Sequence, residues 1–250
     1  MKLNGNTILI TGGGSGIGRT LAHRFHDAGN TVVIAGRQLP PLHETAEGRA
    51  GIYVLQYDAD DAASTAAFVD ELLGKFPDLN VLFNNAGIMR MEGSLAARRD
   101  LTDAEAQIVS NLVGPIRLTN LLVEHLSSRP GAAIVNVTSG LAFVPLVIAP
   151  TYSATKAAIH SYTISLRAVL KGKVEVIELA PPAVRTDLTP GQAANERFMP
   201  LEDFADQVMA KFGIQPTPTE ILVDGVDFMR NAEIEGRFSE TLAALNPFLG

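Results

Sequence analysis

Six short apolar runs punctuate the chain: TILIT (7–11), TVVIAG (31–36), IYVLQY (52–57), LNVLFNN (79–85), AAIVNVTS (132–139) and VEVIELA (174–180). Their hydrophobicity is continuous rather than alternating, which suits strands buried on both faces of a parallel sheet. Between them lie segments of helical length, 16–28, 61–75, 101–127 and 152–170. Alternation of this kind predicts an α/β protein, a doubly wound parallel β-sheet with helices on both faces in three α/β/α layers. From about residue 187 the rhythm is lost, and proline and glycine punctuate 190–218 before a stretch that reads as helical. No repeat, low-complexity tract or linker divides the chain. The expectation is one domain over 1–250 with a mobile or irregular C-terminal third.

Composition narrows the class. The chain has 250 residues, 46% hydrophobic and 19% charged, and its mean hydropathy is +0.16. That is enough apolar material for a large core. The net charge of −7 and pI near 5.2 argue against a nucleic-acid binder, which needs a basic surface. Cysteine is absent, which excludes thiol nucleophiles, zinc–thiolate sites and disulfides. His23, His26, His43, His125 and His160 form no ligand cluster with carboxylates, so no metal site is expected. No run is long enough for a signal peptide or a bilayer span, and a cytoplasmic protein is expected.

The first candidate chemistry follows the first run. In TGGGSGIG (11–18) glycines allow a tight turn and close approach of a ligand, and the following helix aims unpaired N–H groups at it. Gly12, Gly14, Ser15, Gly16 and Gly18 are therefore expected to cradle a pyrophosphate. The spacing is T-G-x-x-x-G-x-G rather than G-x-G-x-x-G, and no G-K-[ST] follows to make a P-loop. The second run ends in Gly36-Arg37, where an acid would grip the ribose 2′-hydroxyl of NAD. Arginine suits a phosphate instead, so NADP(H) is expected to be preferred, with NAD(H) possible.

Three further motifs stand in order: NNAG (84–87), Ser139 at the end of a run, and YSATK (152–156). With the glycine turn, their order and spacing resemble the short-chain dehydrogenase/reductase family over most of the chain. The resemblance implies a Rossmann-like fold and interconversion of a ketone or aldehyde with an alcohol by hydride transfer. It implies that Tyr152 is the general acid/base, since an unperturbed phenol at pKa ~10 needs help at neutral pH. Lys156, one turn on, would stabilise the phenolate and bind the nicotinamide ribose. Ser139 would orient the substrate oxygen, and Asn111 would hold a water in the proton relay. Asp58 would meet the adenine amine, Asn85, Ala86 and Gly87 would line the adenine-ribose side, and Ile17 would sit in the glycine turn beneath the cofactor. Val184 and Thr186 in PPAVRTDL would bond the nicotinamide carboxamide. Taken singly, each of these residues reads as an ordinary surface, turn or helix residue.

Two departures from the family pattern stand out. PPAV replaces the usual Pro-Gly after the sixth strand. VDGVDF (223–228) only superficially matches the family's ending and reads as part of a helical segment starting near Pro218, which puts a seventh strand in doubt. The PPAVRTDL pattern is similar to a subgroup connected with teichoic-acid D-alanylation. LAFVPLVI (141–148) and IMRM (88–91) suggest an apolar substrate, Arg90, Arg98 and Arg99 leave room for an anionic one, and 187–215 falls where the family carries its lid. The family pairs helices like 101–127 and 152–170 across a two-fold axis, so a homodimer or homotetramer is expected, without nucleic-acid or membrane partners. Two other readings stand beside the enzyme: a catalytically silent NADP(H)-binding redox sensor, and a protein whose dimer surface is its main role.

Overall fold

The six apolar runs become six parallel strands: β1 Thr7–Thr11, β2 Thr31–Gly36, β3 Ile52–Gln56, β4 Val81–Asn84, β5 Ala133–Val137 and β6 Glu175–Ala180. The structure is a computed structural model that describes residues 1–93 and 95–247. A seventh strand, β7 Glu220–Leu222, pairs in parallel with β6, giving the order β3-β2-β1-β4-β5-β6-β7. The reversal between β1 and β4 opens a crevice at the carboxyl ends of the strands, where ligands bind in open α/β sheets. Alternation along β1 feeds both layers. Ile8 and Ile10 join one core cluster with Phe25, Phe83 and Phe212, while Leu9 joins the other with Leu72, Leu82 and Leu122.

The expected helices form as α1 Gly16–Asp27, α3 Ala62–Lys75 and α6 Pro150–Val169. The segment 101–127 is not continuous: α4 Thr102–Ile108 and α5 Gly114–Ser127 are joined by a π turn, Val109–Val113. An additional helix, α2 Leu39–Ala46, carries two prolines in its first turn and buries Leu42 and Thr45.

Beyond residue 187 the structure corrects the expectation. Helix α7 Leu201–Phe212 buries Phe204, Val208 and Phe212 at i, i+4 and i+8. Phe212 meets Phe25 with ring centroids 5.6 Å apart, and Arg24 pairs with both Glu202 and Asp206 at 2.7 Å. Residues 201–212 are thus an ordered helix with one face in the core rather than irregular chain. The doubt over a seventh strand is also overturned, because residues 220–222 are extended and helix resumes only at α8 Asp227–Arg230 and α9 Phe238–Leu245. A three-residue strand is too short to leave a periodic signal. It pairs with β6 from Glu178↔Glu220 to Ala180↔Leu222, and Arg230 bonds Glu220 at 2.9 and 3.1 Å.

Candidate active site

A cavity of about 340 Å³ lies over the ends of β1, β4, β5 and β6. The glycine turn forms one wall. Gly12 (φ +70°) and Gly16 (φ +49°) occupy the left-handed region that favours glycine. A Cβ on Gly18 would sit 2.2 Å from the carbonyl oxygen of Gly12 and 2.6 Å from Asn85 Nδ2, so the turn closes only without one. Ser15 caps α1 without a side-chain hydrogen bond. The first-turn N–H groups of α1 thus have no such cap and stand beside the cavity, where a helix N-terminus favours an anion. Gly12, Ser15, Gly16, Ile17 and Gly18 all line the cavity. Gly14 does not: its carbonyl accepts from Arg19, and its Cα faces Pro41 and Leu42 of α2.

The opposite wall comes from the β4 end. Thr11 is the bracket that sequence reading passed over. Its Oγ1 donates to the Phe83 carbonyl at 3.2 Å and accepts the N–H groups of Asn85 and Ala86 at 3.1 and 3.0 Å. Asn85 returns a bond from Nδ2 to the Thr11 carbonyl at 2.8 Å, tying β1 to β4. Asn85, Ala86 and Gly87 line the cavity as expected.

At its far end Ser139, Tyr152 and Lys156 come together, all buried (8%, 7% and 5% exposed). Helix α6 places Tyr152 and Lys156 on one face, starting on Pro150 with no cap from Ala149. Glu92 supplies the cap from a distant loop, accepting from the Thr151 N–H and hydroxyl at 2.9 Å each. Ser139 follows β5 and caps a 3₁₀ turn, Gly140–Ala142. Burial pushes the Tyr152 phenol up to about 12, against a smaller lowering by the neighbouring Ser139 hydroxyl. Burial likewise brings Lys156 down to about 8. The phenol is thus shifted opposite to the expected direction. The geometry explains why: Lys156 Nζ donates to the Val137 carbonyl at 2.9 Å and lies 5.5 Å from the centroid of the Tyr152 ring.

Asn111 sits in the π turn, buried beneath Gly87. Its side chain bonds both backbone groups of Ile88, at 2.8 Å each, and Thr155 at 3.3 Å. Val184 and Thr186 line the cavity and are steadied by Gln192 Nε2 at 2.8 and 3.2 Å. Arg90 lines it as well, whereas Arg99 is paired with Glu92 at 2.6 Å. A second cavity of about 150 Å³ shares Gly12, Ala86, Gly87 and Ile88 with the first. It holds Arg37 and Asp58 with Asp60, which lies 3.4 Å from the Arg37 guanidinium and bonds Ser110. Among the described residues no cluster suits a metal ion, and no helix is long and apolar enough to cross a membrane.

Together the two cavities make one trough running from a charged end at β2 to a buried tyrosine–serine–lysine end at α6. Residues 6–197 match the family model for short chain dehydrogenase. The chain is 39% identical over 237 residues to uncharacterized oxidoreductase DltE of Bacillus subtilis (strain 168), covering 93% of each chain. It is 31% identical over 248 residues to sulfoacetaldehyde reductase of Chromohalobacter salexigens, covering 93% of this chain and 96% of that one. Among solved structures it is similar to 3-ketoacyl-(acyl-carrier-protein) reductase from Brucella melitensis complexed with NADH. That match has a TM-score of 0.77 at 26% identity and covers 86% of this chain and 93% of that one. The chain therefore belongs to the short chain dehydrogenase family and is an oxidoreductase.

Proposed function

We propose that the protein interconverts a ketone or aldehyde with an alcohol using NADP(H). The observation that carries this reading is the continuity of the trough, in which an anion-cradling glycine turn leads to a buried Ser139–Tyr152–Lys156 group. The crowded turn at Gly18 and the α1 N-terminus without a side-chain cap fit a dinucleotide pyrophosphate. When bound, the nicotinamide cofactor supplies or accepts the hydride. Gly12, Ser15, Gly16, Ile17 and Gly18 hold the pyrophosphate side, and Asn85, Ala86 and Gly87 the adenine-ribose side. Val184 and Thr186 hold the far end, and Asp58 meets the base. Arg37 meets a 2′-phosphate, in competition with Asp60.

Tyr152, protonated at neutral pH as any phenol is and held more firmly so by burial, gives its proton to the developing alkoxide. Ser139 donates to the same oxygen and orients it. Lys156 places a positive charge within reach of the phenolate left behind. The side-chain amide of Asn111 is occupied by Ile88 and Thr155, so its part in a proton relay falls to its main chain. Met89, Leu141, Leu146 and Ala149 pack around Tyr152, and Ile88, Val137, Pro181, Pro182, Val184 and Leu188 give the cavity wall an apolar share that suits an apolar substrate. Arg90 in the cavity wall, with a sulfoacetaldehyde reductase among the relatives, makes small anionic aldehydes worth including in a screen.

The test is NADPH oxidation across a panel of aliphatic, aryl and anionic carbonyls, with Tyr152→Phe beside wild type. Loss of the proton donor is expected to lower kcat by about 10²–10⁴-fold while NADPH binding survives. Cofactor binding without turnover across the whole panel would favour the redox-sensor reading instead. Leu101, Ile108, Leu121 and Ile164, exposed on the α4–α6 layer, support a homodimer. Sedimentation as a monomer at micromolar concentration would reject it.

A further inference from the structure

The face of α6 that carries Tyr152 and Lys156 continues one turn further to His160. Its Nδ1 lies 2.7 Å from Oε2 of Glu178, in the middle of β6. The Thr138 hydroxyl donates to the other oxygen, Oε1, also at 2.7 Å. The Glu178 side chain is completely buried, at 0% exposure, whereas that of His160 is 21% exposed. Burying a carboxyl group is costly unless its oxygens are held. Here both are held, one by Thr138, which opens a short segment, and the other by His160 of α6, which packs on that segment's last residue.

That segment is 138–143. Its first residue is Thr138, gripped by Glu178. Its last is Phe143, whose ring meets the His160 imidazole edge-on with centroids 5.1 Å apart. Arg230 lies 5.1 Å from the opposite partner of that contact, the Phe143 centroid, and is itself anchored to Glu220. Between the two ends sits Ser139, whose Oγ accepts the Leu141 N–H at 3.1 Å and which lines the cavity together with Tyr152. Backbone bonds from Thr138 N to the Leu179 carbonyl (2.8 Å) and from Gly140 N to the Pro181 carbonyl (2.9 Å) align the segment with β6. The 3₁₀ turn holds the Phe143 end from within, Ala142 N donating to the Ser139 carbonyl at 2.9 Å and Phe143 N to the Gly140 carbonyl at 3.1 Å, and the ring contact with His160 ties that end to α6.

We propose that His160 and Glu178 form a clamp that fixes both ends of residues 138–143 and so aims the Ser139 hydroxyl at the substrate oxygen. They are positioning residues, touching neither substrate nor cofactor. The consequence for turnover rests on the role proposed above for Ser139; the clamp itself rests only on the contacts just described.

The experiment compares His160→Leu, which removes the donor and keeps bulk, with His160→Asn, whose Nδ2 falls near the place of Nδ1. Hydrogen–deuterium exchange of peptides spanning 138–144 is read beside kcat and the KM for NADPH on a carbonyl that wild type reduces. Loss of a hydrogen bond of this kind shifts an opening equilibrium by about tenfold or more. In His160→Leu, exchange of the segment is expected to rise about tenfold and kcat to fall about tenfold, with the KM for NADPH unchanged. His160→Asn, which returns the bond to Glu178 but not the ring against Phe143, should recover part of both losses. Unchanged exchange in His160→Leu, or an asparagine variant no better than the leucine one, would overturn the proposal. Should His160→Leu fail to fold, Thr138→Val removes the other grip on Glu178 and reads the same peptides. Ser139→Ala run in parallel separates the two claims. If exchange responds while Ser139→Ala turns over like wild type, the clamp stands and the role of Ser139 falls.

Discussion

Lys156 is a buried cation, and its burial makes a measurable demand on stability. Burial brings the ammonium from 10.5 to about 8. Between those values the unfolded chain binds more protons than the folded one, so stability rises with pH across that window. Below pH 8 the full penalty is present, and at about 1.4 kcal/mol per pH unit it amounts to about 3 kcal/mol. Lys156→Met keeps the apolar stem and removes the charge. It also removes the donor to the Val137 carbonyl, a loss of about 1–2 kcal/mol. The variant is therefore expected to be more stable than wild type at pH 7 by about 1–2 kcal/mol, raising Tm by roughly 2–8 °C for a chain of this size. It should at the same time lose turnover, the usual exchange of stability for activity at a strained site. The assay is urea unfolding of both proteins from pH 6.5 to 9.5. Their difference should shrink as pH rises through 8, because only wild type gains. The tyrosine in contact with it does not confuse the window, since the Tyr152 phenol is pushed up to about 12. A variant less stable than wild type at pH 7, or a difference that ignores pH, would refute the reasoning.

Two further outcomes follow from the other end of the trough. Gly18→Ala would place a Cβ 2.2 Å from the Gly12 carbonyl oxygen. It should destabilise by about 1–3 kcal/mol and abolish NADPH binding. Gly14→Ala, whose nearest contacts lie at 3.4 Å on the α2 side, should do neither. Thermal unfolding and cofactor fluorescence read both. Arg37→Ala should weaken NADPH by about tenfold or more, the value of a hydrogen bond to a charged group, and leave NADH unchanged by titration calorimetry. Equal losses for both cofactors would remove Arg37 from phosphate recognition.

Much of this organisation is legible in the linear chain because its strands are buried on both faces. A strand of that kind must be apolar at every position, so TILIT, TVVIAG and VEVIELA mark β1, β2 and β6 to within one residue. The motif residues were legible for a related reason: glycine at 12, 16 and 18 and the Tyr152–Lys156 spacing are local demands of a turn and of one helical face. The misses are equally physical. Helix α2 carries Pro40 and Pro41 in its first turn, where proline is tolerated but reads as a loop. The Phe204, Val208 and Phe212 spacing of α7 was present in the chain, but the surrounding prolines and glycines masked it. The π turn at 109–113 changes one hydrogen-bond step and leaves no mark on hydrophobic period.

What the chain determined by itself is which segments must be buried and which residue types stand ready at their ends. The fold decided what those residues meet. Thr11 bonds partners more than seventy positions away, Glu92 caps a helix that begins at Pro150, and Glu178 faces Thr138 and His160 from a neighbouring strand. The protonation of Tyr152 and Lys156 was decided there too, because a pKa depends on how much water and charge surround the group. Local sequence sets a side chain's direction along its helix or strand, and only the packed layers set its surroundings.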